Sequence, residues 1–64
     1  MRPINSREEL YAELDMLQGN INRICVSDNK TEISSMYQFA LARLEEIMKY
    51  NMMRVIKDEA RMGE

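Results

Sequence analysis

Three pairs of adjacent carboxylates, Glu8-Glu9, Glu45-Glu46 and Asp58-Glu59, are the residues whose types suit acid–base catalysis. Paired carboxylates act on a bond when they flank it from two sides. Neighbours in sequence diverge by about 100° on a helix, so no pair here converges on one bond. The chain has no histidine to titrate near neutrality. Cys25 is the single cysteine, so no intrachain disulfide can form, and the usual zinc sets are missing. The two glycines, Gly19 and Gly63, make no phosphate-cradling loop. These absences lead to the expectation of a non-catalytic protein with no cofactor and no metal.

The chain reads as helical throughout. Leu10, Leu14, Leu17, Ile21 and Ile24 recur at spacings of 4, 3, 4, 3, and Ile33, Tyr37, Ala40, Leu44 and Ile47 repeat that pattern. This is the period of an amphipathic helix face. Folding the chain near Asp28-Asn29 sets Ile24 against Ile33, Ile21 against Tyr37, Leu17 against Ala40, Leu14 against Leu44 and Leu10 against Ile47. The numbers of each pair sum to 57 or 58, as antiparallel helices require. The expected fold is all-α, a two-helix antiparallel hairpin that self-associates into a helical bundle.

Local signals place the boundaries of this single expected domain, residues 1–64. Met1 to Asn5 form an extended lead, since Pro3 disfavours helix at Arg2. Ser6 and Glu9 spell a capping box, with the hydroxyl accepting from Glu9 N–H and the carboxylate from Ser6 N–H. The first helix should span about 6–26. Ser27, Asp28 and Asn29 form the turn, because their side chains compete for backbone groups. Asn29-x-x-Glu32 reads as a second capping box, with Asp28 as an alternative cap. The second helix should span about 30–61, since no proline or glycine interrupts it before Gly63. It outruns the first by roughly two to four turns. Gly19 is either a tolerated surface glycine or a point of close backbone approach. Asn51 extends the seam positions, either fixing register as a polar seam residue or marking where the hairpin ends.

The two helices differ in the width of their apolar faces. The stripe of the first covers about 100°, enough for one partner helix, whereas that of the second covers about 160°. Met36, Leu41 and Met48 sit to one side of the expected seam. Met52, Val55 and Ile56 lie beyond the end of the first helix. Apolar surface of this extent marks an interaction site, so these six residues are the expected protein-binding positions. Five of the seven methionines fall on the second helix, where flexible thioethers suit either a varied partner or an oligomer core. Glu45 and Lys49 form a helix-supporting i, i+4 pair on a solvated face.

At 64 residues with a formal charge of −2, the chain is small enough to need association or very regular packing. It lacks the basic footprint of a nucleic-acid binder. No apolar run approaches the ~20 residues of a membrane span, and Met1-Arg2-Pro3 does not open a secretory signal. A soluble, reducing, cytoplasmic setting is expected, with no membrane partner and with nucleic acid disfavoured as a partner.

The run Glu13 to Arg23, ELDMLQGNINR, followed by Met36-Tyr37 and Ala42-Arg43-Leu44, resembles small uncharacterised helical proteins of bacteriophages and mobile elements, over about residues 6–54. The resemblance implies a phage or prophage accessory protein that binds a host or phage protein. With the wide apolar face, this leads to the expectation of a small regulator, inhibitor or adaptor with a protein partner, most simply a homo-oligomer and first of all a dimer. The alternative is a structural subunit of a larger assembly, and a DNA-binding module comes a distant third.

Overall fold

In the computed structural model the chain forms two helices, α1 (Arg7–Val26) and α2 (Lys30–Met62), packed against each other as an antiparallel hairpin. The structure describes residues 2–62, and for Met62 the backbone alone. Met1, the start of the expected lead, and Gly63, the expected stop, lie outside the described residues. The hairpin is a narrow rod of 54 × 18 × 17 Å, its length set by the 33 residues of α2.

Both helix starts are capped by side chains. Ser6 is extended, and its Oγ accepts from Glu9 N–H at 3.2 Å. The Glu9 carboxylate reaches one residue further back than a strict capping box and accepts from Asn5 N–H at 2.9 Å. Asn29 Oδ1 accepts from Thr31 N–H at 2.9 Å and Glu32 N–H at 3.3 Å. Asn29 N–H donates to Ser27 Oγ at 3.1 Å. The Glu32 carboxylate instead turns toward Arg23 of α1, 3.9 Å away. The bonds to Ser6 Oγ and Asn29 Oδ1 satisfy first-turn N–H groups that have no partner inside the helix.

The cross-helix contacts report the register. Arg43 meets Glu13 and Asn20 meets Met36, both pairs summing to 56, while Arg23 and Glu32 sum to 55. The antiparallel register thus lies within about two residues of that read from the apolar spacing. The roll of the helices about their axes differs from the expectation. Leu10, Leu17, Ile24, Ile33, Ala40 and Ile47 occupy the seam, but burial on α1 continues through Glu13 and Asn20, and on α2 through Met36, Arg43 and Tyr50. Leu14 and Ile21 on α1, and Tyr37 and Leu44 on α2, were expected to form inner layers and stay exposed.

The reason for the roll is directional bonding on one side. Arg43 Nη1 donates to Glu13 Oε2 at 2.7 Å, and Arg43 Nε donates to Asn20 Oδ1 at 3.1 Å. Asn20 Nδ2 donates in turn to the Met36 sulfur at 3.5 Å, and Arg43 Nη1 lies 3.0 Å from the Met16 sulfur. Charge-assisted hydrogen bonds demand short distances and set angles. Apolar burial is non-directional and yields to that demand when one narrow seam cannot satisfy both flanks.

Among the described residues only Ile4 and Ile47 are buried. Ile4 belongs to the extended lead, which folds against α2 beside Tyr50 and Met53. Asn51 donates from Nδ2 to its own helix at Ile47 O, 2.8 Å away, and so needs no polar partner across the seam.

Candidate protein-binding face

Helical phase and the antiparallel arrangement together decide which exposed side chains share a surface. On each helix the seam residues define a zero direction. Leu14 and Ile21 lie about 40–60° to one side on α1, and Tyr37, Leu44, Leu41, Met48 and Val55 about 40–100° to one side on α2. In an antiparallel pair these two sides coincide. The hydrogen bonds confirm the complementary statement, since Glu13 and Asn20 of α1 meet Met36 and Arg43 of α2 on the other side. The hairpin therefore has a polar-bridged side and an apolar side.

The apolar side is built from Leu14, Ile21, Tyr37, Leu41, Leu44, Met48, Met52 and Val55, each between 41% and 56% exposed. On α2 these residues recur at spacings of 4, 3, 4, 4, 3 from Tyr37 to Val55, with no charge in the stripe. The stripe continues into the overhang, the part of α2 beyond Tyr50, which α1 does not reach. There Met52, Val55 and Ile56, with Asn51 and Glu59, line a shallow hollow of about 380 Å³.

Of the six residues expected from the sequence, Leu41, Met48, Met52 and Val55 belong to this face. Met36 does not, because it is half-buried on the polar-bridged side with its sulfur under Asn20 Nδ2. Ile56 is exposed but lies about 160° from the seam, past the edge of the stripe. Four members of the face, Leu14, Ile21, Tyr37 and Leu44, fall on the seam by spacing alone. The signal that could have found them is Glu13 with Arg43, opposite charges at a sum of 56, one step off the apolar stripe on both helices.

Glu59 borders this face at the hollow, and the ion pairs of the hairpin lie away from it. Lys49, on the opposite side of α2 from the seam, is 3.4 Å from Glu45 and 3.5 Å from Glu46. The hydrogen bond to Glu45 and the charge of Glu46 hold its ammonium above the ordinary lysine value. Cys25 is exposed at the end of α1. An added Cβ at Gly19 meets nothing within 4 Å, so no backbone of this chain approaches it closely. No group of three or more metal-ligating residues is gathered among the described residues. No described helix is long and apolar enough to cross a membrane. No protein-family model, curated protein or solved structure matches the chain.

Proposed function

We propose that this chain is a small non-catalytic protein-binding module, a regulator, inhibitor or adaptor, that works through the apolar side of its hairpin. The observation that carries the reading is eight half-exposed large apolar side chains on one face of a hairpin in which only two of the described residues are buried. Apolar patches of that extent are uncommon on proteins that act alone. The resemblance to small bacteriophage and mobile-element proteins makes it, in this reading, an accessory protein of a phage or prophage acting in the cytoplasm.

The test compares tagged wild type with Leu41→Glu/Met48→Glu as bait in a lysate of the source organism, beside sedimentation of both proteins. Wild type should hold a protein in fixed stoichiometry, a second copy included, and the variant should lose it. Equal retention by both, or a wild type that is monomeric and holds nothing, refutes the reading.

A second reading is a structural subunit of a larger assembly. The overhang favours it, because a projecting apolar helix end suits docking into a neighbour. Sedimentation separates the two: one small species supports the module, and open-ended association supports the subunit.

A further inference from the structure

The apolar side has a property that selects its occupant. The described helix α2 runs from Lys30 to Met62, so its midpoint is residue 46. The exposed stripe is symmetric about that midpoint. Tyr37 and Val55 sum to 92, Leu44 and Met48 to 92, and Leu41 and Met52 to 93. The polar residues that bound the stripe, Ser34 and Glu59, sum to 93. A stripe that reads the same in both directions is what a two-fold axis through residue 46 requires, because an isologous interface presents one patch to itself.

The surface area agrees. The hairpin exposes 5398 Å², whereas a compact monomer of 7.6 kDa exposes about 4,300 Å². The difference, about 1,100 Å², matches or exceeds the ~800 Å² each partner contributes to a standard interface. Among the described residues, none covers the apolar side.

We propose that the apolar side seats the same side of a second copy, the two α2 helices running antiparallel about a two-fold axis at the level of Glu46. This rests on the reading of that side as a protein-binding surface and names its occupant. The arrangement overlaps the long helices over their whole length. Tyr37 of each chain meets Val55 of the other, and Leu44 meets Met48. It also accounts for the overhang. Met52 and Val55 of the second copy come level with residues 17–20 of α1, at the groove between Leu14 and Ile21 on one wall and Tyr37 and Leu41 on the other. The apolar side of the overhang, which lacks cover in its own chain, thus covers the exposed face of its partner, and the result is a four-helix dimer.

Register is tested by disulfide trapping in a Cys25→Ser background, since the exposed native thiol would cross-link by itself. Tyr37→Cys protein is mixed with Val55→Cys protein and oxidised. In the antiparallel dimer residues 37 and 55 of different chains adjoin, while two copies of residue 37 stand roughly 27 Å apart, 18 residues at ~1.5 Å. A disulfide tolerates Cα separations of only about 4.4–6.8 Å. The expected result is the mixed disulfide in large excess over either symmetric one, and twice the monomer mass in sedimentation at tens of micromolar. Symmetric 37–37 disulfides, or a dimer that forms no 37–55 bond, overturn the arrangement. A monomer at that concentration overturns the second copy as occupant. If such a monomer still loses a captured target on Leu41→Glu, the protein-binding reading stands. If its face variants bind as wild type does, that reading falls as well.

Discussion

Arg43 is the side chain on which the shape of this hairpin turns. Its guanidinium holds Glu13 at 2.7 Å and Asn20 at 3.1 Å across the seam, with the Glu13 and Arg43 side chains only 25% and 20% exposed. A part-buried pair of this kind loses more from removal of one partner than from replacement of both, because the survivor is left without its bond. Arg43→Ala should therefore destabilise the hairpin by about 1–3 kcal/mol in urea denaturation. Replacing both with Glu13→Leu/Arg43→Leu should recover most of that loss. If the double variant is as unstable as the sum of the two single ones, the bonds of Arg43 across the seam do not set the roll. Ile4 makes the parallel case for apolar burial. Ile4→Ala should cost about 2 kcal/mol or more, although the residue lies outside both helices; a loss under a few tenths would show that the lead does not hold α2.

At the scale of the elements, the capping bonds and the interior glycine make opposite predictions. Ser6→Ala and Asn29→Ala each remove the acceptor of first-turn N–H groups. Each should lower helix stability by about 0.5–2 kcal/mol, read by circular dichroism on thermal unfolding. Gly19→Ala should raise it by about 0.5–1 kcal/mol, since the added methyl meets nothing within 4 Å. The position lies far from the apolar side, so the substitution should leave association unchanged. A weaker association in Gly19→Ala would show that a partner approaches the far side of α1 instead.

The whole molecule has less interior than its sequence suggests, and this changes what a core substitution measures. Leu14 is 41% exposed in the hairpin, so in a single copy Leu14→Ala should cost only about 1 kcal/mol, well below the ~2–5 kcal/mol of a buried leucine. If a second copy covers it, the larger figure should appear, and the melting temperature should rise with protein concentration, as mass action requires. Truncation after Tyr50 removes the overhang and should abolish that concentration dependence while leaving measurable helicity. A concentration-independent melt in the untruncated chain would place Leu14 permanently in water.

The hairpin, its turn and its register were legible in the chain because each rests on local rules. Apolar residues at a helical period define two faces, Ser6 and Asn29 define two helix starts, and a near-constant sum of positions defines antiparallel pairing. Those rules act over a few residues, and tertiary contacts need only respect them. The roll of the helices was not legible, because the 4, 3 spacing leaves two flanks beside each seam residue. The choice between Leu14 with Leu44 and Glu13 with Arg43 depends on three-dimensional reach. The long guanidinium spans the seam and forms short directional bonds with two partners on α1, which an apolar stripe cannot match with a single narrow helix opposite. That roll moved Met36 under Asn20 and turned Leu14, Ile21, Tyr37 and Leu44 outward beside Leu41 and Met48. Tertiary structure thus decided which apolar residues close the hairpin and which form its exposed face.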